Sequence, residues 1–436
     1  IYGMGGIGKT ALAFKLAEKL RDRYPDGQLM VDLRGTDQEP LKPAEAMAQI
    51  IHSFDHSIFL PKEENVLAGL YRSILGSKRA LLLLDNAADD HQVQPLLPPS
   101  TCCVLITSRK KFTLPGLARM DLNTLNPSDA RNLLIAISGR ISDQTGELAQ
   151  LCGYMPLALR ATGSLLANTT DLDLAKYVEE LRAERTRLDR IGSKGVDLNV
   201  EASFNLSYRR LTAGAAITFQ LTSIFPADFD ARAEEIICLD EGHMQLSELV
   251  RWSLVEYQVS GEDGRYHLNN LARLFSNLKL EQENGAATMV AAQQRHAEHY
   301  RNVLSSSDWL YMQGGDGVLA GLKLFDLEWT NIQAGQAWAE KNLEGSSPAA
   351  ALCSNYPAAG AYVLDLRLHP SEKIRWLMTA LVAARQLKDR NVESVHLGNL
   401  GLAYAAMSDV RKAIDYYEQA LAIAREIGDR RGEGNA

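Results

Sequence analysis

The sequence predicts a multidomain fold: a doubly wound α/β domain with a glycine-rich loop, then a small helical bundle, a winged helix and a C-terminal α-helical solenoid. Three observations carry that expectation. "GMGGIGKT" at Gly3–Thr10 has the spacing G-x-x-x-x-G-K-T and runs straight into a helix-forming segment. "LLLLD" at 81–85 is an apolar run closed by an aspartate. Beyond Ala380, a set of residue types recurs one helical hairpin later, from Ala420.

The chain has 436 residues, too many for one core. Its net charge of −8 argues against a general nucleic-acid coat. No apolar run approaches the roughly 18 residues that a membrane span needs. No signal peptide is seen. Cys102, Cys103, Cys152, Cys238 and Cys353 lack metal spacing, and the adjacent pair sits in an apolar run, where small buried residues are expected. A reducing cytoplasm suits this pattern. Both ends read as cut: only Ile1 and Tyr2 precede the loop, and the repeats stop soon after they start.

The loop has a mechanical reason for its spacing. Its glycines allow positive φ and close approach, so successive N–H groups wrap phosphate oxygens. The amides of Gly5, Gly6, Ile7, Gly8, Lys9, Thr10 and Ala11 are the expected binders, and the following helix adds its positive N-terminal end. Lys9 reaches the β- and γ-phosphates, and Thr10 offers its hydroxyl to Mg²⁺. Leu12, Leu16 and Leu20 share a helix face, and Pro25–Gly27 ends the segment.

The magnesium needs an acid. Leu81–Leu84 read as a buried parallel strand, and Asp85 stands at its C-terminal end, where ligands of open α/β sheets bind. Leu29–Leu33 read as the neighbouring strand, and Met47, Ile50, Ile51 and Phe54 as the helix between. Position 86 is Asn, where vigorous P-loop ATPases place a second acid to orient water, so slow hydrolysis is expected. Asp89 and Asp90 are expected to begin the next helix. A further apolar run ends in Ser108-Arg109, with Arg109 a candidate γ-phosphate sensor.

In this order, "GMGGIGKT", "LLLLDNA", "LITSR" and "CGYMPLALRATGSLLA" resemble the NB-ARC branch of the signal-transduction ATPases with numerous domains. Gly153, Pro156, Leu157, Ala158 and Leu159 match the family's G-L-P-L-A-L stretch, while Tyr154 and Met155 stand where Gly-Leu variants are usual. The resemblance implies that Pro156 packs against the adenine and that the helices after Leu122 close over the nucleotide.

Two helical patterns then precede "LVEYQVSGEDGRYHL", alternating on both sides of a Gly-Glu-Asp-Gly turn, as in the hairpin of a winged helix. From 201 to 280 there are seven Lys/Arg against eleven Asp/Glu, so no direct nucleic-acid binding is expected. The resemblance implies docking on the nucleotide domain instead. The family's Met-His-Asp lock aligns with Leu268, Asn269 and Asn270; His267 is adjacent, on the opposite side of the strand from Leu268. Asn269 has two readings, an N-cap and a donor to diphosphate.

Further on, His296 and His299 lack a partner cluster and read as surface histidines. Ala380, Leu381, Ala384, Arg385, Asp389, Arg390 and Glu393 recur as Ala420, Leu421, Ala424, Arg425, Asp429, Arg430 and Glu433. Leu400, Gly401, Tyr404, Ala413, Tyr417 and Ala420 resemble a tetratricopeptide repeat. The expected organisation is 1–121 P-loop nucleotide-binding domain, 122–195 helical bundle, 196–281 winged helix, 282–370 helical arm and 371–436 the start of a repeat array. The combined expectation is a cytoplasmic, weakly hydrolysing ATP/ADP and Mg²⁺ switch. A protein or small-molecule stimulus acts on the repeats, and activation brings self-association without a membrane. A transcriptional activator whose DNA-binding domain lies outside this chain, and a constitutive AAA-like ATPase, are the alternatives.

Overall fold

The computed structural model describes residues 1–435 except 38–39, 56–57, 59, 62, 141–142, 192–195 and 261–262. Two residues of the expected hairpin turn, Gly261 and Glu262, therefore lie outside the described residues, as does the end of the expected helical bundle. The chain divides into two compact units.

The first unit comprises Ile1–Asp55, Glu64–Ser223 and Asp228–Gly285. It opens with α1 (Lys9–Leu20), β1 (Gly27–Asp32), α2 (Pro43–Phe54), α3 (Glu64–Gly76), β2 (Ala80–Ala87), α4 (Asp90–Val93) and β3 (Cys103–Ser108). The three strands are parallel in the order β1-β2-β3. Tyr2 adds parallel bridges to Ser108 and Asp121, which place the start of the loop beside β3. Every residue of β2 is buried, as a strand covered on both faces requires. In α1 the buried apolar positions are Ala13 and Ala17, with Leu12, Leu16 and Leu20 half-buried beside them, because small residues let the helix lie close on the sheet. In α2, Met47, Ile50 and Ile51 are buried at the predicted spacing. Asp89 caps α4 by accepting from Gln92 N. Cys102 and Cys103 are half-buried rather than buried, because they lie at the start of β3, where Cys102 Sγ meets the carbonyls of Leu75 and Lys78.

Four helices follow: α5 (Pro127–Ser138), α6 (Thr145–Leu151), α7 (Pro156–Asn168) and α8 (Leu174–Ile191). Pro156 takes the first turn of α7, where its missing N–H costs nothing. Tyr154, two residues earlier, has φ 56°, a left-handed conformation that glycine adopts more cheaply. That is a physical reason for the glycine usual at this place in the family.

The unit ends with α9 (Leu198–Tyr208), α10 (Ala213–Thr222), α11 (Ala231–Cys238), α12 (Met244–Arg251), the strands β4 (Glu256–Ser260) and β5 (Asp263–His267), and α13 (Asn270–Glu283). β4 and β5 pair antiparallel with Tyr257 opposite Tyr266, and Phe229 bridges Tyr266 from the other side. Phe204, Phe219 and Phe275 cluster at the base of α13.

The second unit comprises His56–Glu63, Ile224–Ala227 and Ala286–Ala436. Its helices are α14 (Gly285–Met312), α15 (Asp316–Lys341), α16 (Ser347–Ala359), α17 (Ala361–Arg367), α18 (Pro370–Leu387), α19 (Arg390–Ala406), α20 (Val410–Ile427) and α21 (Arg430–Asn435). Leu377, Leu397, Leu400 and Ile423 form the core of the last hairpins. A Cβ on Gly401 would lie 2.5 Å from a ring carbon of Tyr417, so α19 and α20 pack closer than any side chain at 401 permits. The predicted repeat is one helix turn used twice. Lys388 (φ 58°) and Gly428 (φ 74°) leave α18 and α20 in the left-handed conformation. Asp389 N then donates to Ala384 O at 3.0 Å, and Asp429 N to Ala424 O at 2.9 Å. Arg385 pairs with Glu393, and Arg425 with Glu433.

His296 and His299 are not surface residues. Both are buried, and His296 packs on Tyr300 and Phe225. Burial, and then the neighbouring His299, drives the His296 imidazole down to about 3, so it is a neutral core residue. The sequence misled because "RHAEHY" is polar along the chain, whereas α14 is enclosed on more than one face. Among the described residues no group of three His, Cys, Asp or Glu side chains gathers as metal ligands would, and no helix is long and apolar enough to cross a membrane.

Candidate nucleotide site

The site forms where the C-terminal ends of β2 and β3 meet the start of α1. Gly6 (φ 75°) and Gly8 (φ 94°) turn the loop through conformations that other residues adopt at a cost, so that it hands over to α1 at Lys9. Lys9 is buried, and its Nζ donates to the carbonyls of Gly3 (2.8 Å) and Met4 (2.7 Å), tying the helix start to the loop. Burial, and then the nearby Arg109 charge, bring Lys9 down to about 8, against the opposing pull of Asp85. Burial also lowers Arg109. The Arg109 guanidinium carbon lies 3.3 Å from where a Cβ on Gly5 would be.

The acid and the hydroxyl meet as the sequence implied. Thr10 Oγ1 donates to Asp85 Oδ1 at 2.8 Å across 75 residues. Two hard oxygens on one partly buried edge suit Mg²⁺, which takes one or two protein oxygens at about 2.1 Å and fills its octahedron with water and phosphate. Neighbouring vertices of such an octahedron are about 3 Å apart, which Thr10 and Asp85 match. Thr107, absent from the sequence reading, donates to the same Asp85 oxygen at 2.5 Å. Its only sequence signal is its place two residues before Arg109, on the opposite phase from Ser108. Asn86 is buried with φ 54°, and its side-chain amide donates to Thr36 Oγ1 at 3.2 Å.

Two leucines close on the loop from outside the sheet. A Cβ on Gly6 would lie 3.1 Å from Leu271 Cδ1 and 3.2 Å from Leu157 Cδ2. Leu157 N also donates to Gly6 O at 3.3 Å. Leu157 follows Pro156 in the first turn of α7, and Leu271 is in the first turn of α13. Pro156 and Asn269, expected to meet the adenine and the diphosphate, stand one and two residues before the leucines that touch the loop. Asn269 Oδ1 accepts from Leu271 N at 2.9 Å, so its carboxamide caps α13. His267 faces away from buried Leu268 and bonds Asp228 at 2.6 Å. Burial depresses its imidazole, but the bond and charge of Asp228 prevail and raise it. Arg273, also missed, bonds Asn270 at 2.8 Å and has Asp32, Asp37 and Asp228 as electrostatic neighbours.

A parallel sheet with a glycine loop, a lysine and a Thr–Asp pair at its carboxyl edge defines a P-loop nucleotide-binding domain. Residues 1–141 match the NB-ARC domain family, so this part of the chain is an NB-ARC domain built on a P-loop. Among curated proteins, Regulatory protein AfsR of Streptomyces griseus is 34% identical over 65% of this chain and 30% of its own length. A putative HTH-type transcriptional regulator of Mycobacterium tuberculosis is 24% identical over 98% of this chain and 50% of its own. The chain thus spans about a third to a half of these relatives. A solved Pyrococcus horikoshii protein is titled a Signal Transduction ATPase with Numerous Domains (STAND) protein with a tetratricopeptide repeat sensor. It covers 99% of this chain and 75% of that chain at 17% identity, with a TM-score of 0.45, a loose likeness.

Proposed function

We propose that this chain is the nucleotide-gated core of a signal-transduction switch. ADP held against Gly5–Ala11 keeps it closed and monomeric, and exchange for ATP opens it for self-association. A protein or small molecule acting on the helical repeats supplies the stimulus, in the cytoplasm. The observation that carries this reading is the pair of leucines on the loop. Leu157 and Leu271 come from two helices far apart in sequence, and both must move before the loop is exposed on that side.

In this reading Lys9 and the loop amides bind the phosphates, Arg109 senses the γ-phosphate and Pro156 meets the base. Asn269 reaches the diphosphate while its oxygen caps α13. Thr10 and Asp85 hold Mg²⁺, which bridges and neutralises phosphate oxygens when bound. Asn86 has no carboxylate to orient water, so basal turnover falls well below the median enzyme rate of about 10 s⁻¹.

The test is direct. Purified chain is denatured and its supernatant run on anion exchange; near-stoichiometric ADP is expected. Lys9→Ala removes a charge-assisted phosphate contact worth up to about 3 kcal/mol, roughly a hundredfold in affinity, and empties the site. Protein that carries no adenine nucleotide and binds none when it is added would end the proposal. Turnover near 10 s⁻¹ without stimulus would favour the constitutive ATPase instead.

A second reading is favoured by the relative named a transcriptional regulator, which aligns with almost all of this chain. In it, the same switch governs a DNA-binding element outside residues 1–436. A DNA-binding assay on a longer protein, with ADP against ATP, separates the two.

A further inference from the structure

Asp85 is gripped from two sides, and both bonds fall on Oδ1. Thr10 donates from α1 at 2.8 Å and Thr107 from β3 at 2.5 Å. The direction of the second bond is fixed by its surroundings. Asn86 N–H donates to Thr107 Oγ1 at 2.9 Å, so that hydroxyl already accepts, and its proton is left for the carboxylate. Thr107 is 1% exposed, so no bulk water competes for it.

The backbone arranges this. The β2–β3 register runs Leu84 with Ile106 and resumes at Ala87 with Ser108. β2 therefore spends one residue more than β3 over that interval, a β-bulge. Within the bulge Asn86 takes φ 54°, and the extra residue turns its N–H onto Thr107. Bulges next to active sites commonly re-aim a side chain. Of the two hydroxyls on Asp85, Thr10 is the one assigned to the metal. Thr107 has no such second duty.

We infer that Thr107 is a positioning residue: with the bulge at Asp85–Asn86, it fixes the Asp85 carboxylate and so sets how tightly the nucleotide site holds Mg²⁺. The inference rests on the nucleotide-binding reading above. Thr107 touches neither phosphate nor metal; it acts through Asp85. The same bulge also ties Asn86 into the sheet, so the residue lacking a carboxylate shares the device that aims the metal acid.

The experiment titrates Mg²⁺ into the purified full chain, stripped of nucleotide, with a fluorescent N-methylanthraniloyl ATP as probe. Wild type is compared with Thr107→Val, Thr107→Ala and Thr107→Ser. Valine keeps the shape and the strand preference of threonine without the hydroxyl, and serine keeps the hydroxyl. Removing a residue that orients a metal ligand typically costs about 10- to 100-fold in metal affinity. Thr107→Val should therefore raise the Mg²⁺ concentration for half-maximal binding by about that factor, leave binding in EDTA unchanged, and be largely rescued by Thr107→Ser. If valine does not fold, alanine against serine makes the same comparison. An unchanged Mg²⁺ requirement would overturn the inference. So would an equal loss of binding in EDTA, because a general collapse of the strand end, not metal positioning, gives that result. A wild-type chain that binds no probe with Mg²⁺ overturns the nucleotide reading and this inference with it, and is recognised because the wild type itself fails.

Discussion

Asp85 and Asp389 are the same residue type put to opposite uses. Asp389 accepts from Val392 N three residues ahead and caps α19, and its counterpart Asp429 accepts from Arg431 N just beyond the same turn. Those bonds are local, so they travel with the sequence and recur with the repeat. Asp85 is held by Thr10 from 75 residues before it and by Thr107 from 22 residues after it. Neither partner is near it along the chain, and no periodicity announces them. The repeats are a structure the chain writes locally and copies. The nucleotide site is a structure that two strand ends, a loop and a helix start assemble once.

The contrast predicts unequal damage from comparable substitutions. The largest effect is expected from Leu271→Ala, which removes a 2%-exposed side chain lying against the loop. Leucine-to-alanine changes in packed cores cost about 2–5 kcal/mol. In the proposed switch part of that loss falls on the closed form, so ADP release, timed with a fluorescent analogue, should accelerate and light scattering should show self-association in ATP without a stimulus. A release rate equal to wild type would mean that Leu271 does not help to hold the nucleotide in. Asp389→Ala should do less. Loss of an N-cap costs about 1 kcal/mol, and it should appear as earlier melting of the helical repeats by circular dichroism, with ADP release unchanged. An altered release rate would break the contrast, because a local bond in the repeats would then be controlling the nucleotide site.

The smallest effect is expected from Asn269→Asp. Aspartate caps as well as asparagine, so stability should change by no more than about 0.5 kcal/mol. In the proposed switch the variant also sets a carboxylate toward the diphosphate, and like charges in a partly buried site repel. If Asn269 reaches the phosphate, ADP release quickens; if it only caps, the rate stays at the wild-type value. Release rate and melting temperature measured on one preparation decide between them.

How much of the site the sequence showed follows the same division. The loop, Lys9, Thr10 and Asp85 were legible because glycine spacing and an apolar run closed by an acid are local patterns. That Thr10 and Asp85 meet followed from where strand ends gather in a parallel sheet. Thr107 was not legible: a threonine in an apolar strand is ordinary until the register is known, and a one-residue bulge in the neighbouring β2 is what turns the Asn86 N–H onto its hydroxyl. Leu157 and Leu271 were hidden differently. Each reads as the apolar first turn of a helix, and only the path of α7 and α13 brings them to the loop. His296 and His299 failed for the converse reason, since polar neighbours along a helix say little about how many other helices enclose it.

By itself the sequence determined what short-range chemistry determines. The glycine loop takes positive φ because glycine does so cheaply. β2 is buried because eight mostly apolar residues in an extended run need cover on both faces. Asp89 and Asp389 cap helices because an aspartate reaches the N–H three residues on, and the α18–α21 turns repeat because their residues repeat. The tertiary structure alone decided which oxygen of Asp85 is held, that Thr107 holds it, and that leucines from α7 and α13 close on Gly6. Those facts depend on register, on a single bulged residue and on helix approach to within van der Waals contact. They are fixed only when segments dozens to hundreds of residues apart pack together, because no local pattern encodes an ångström-scale separation between them.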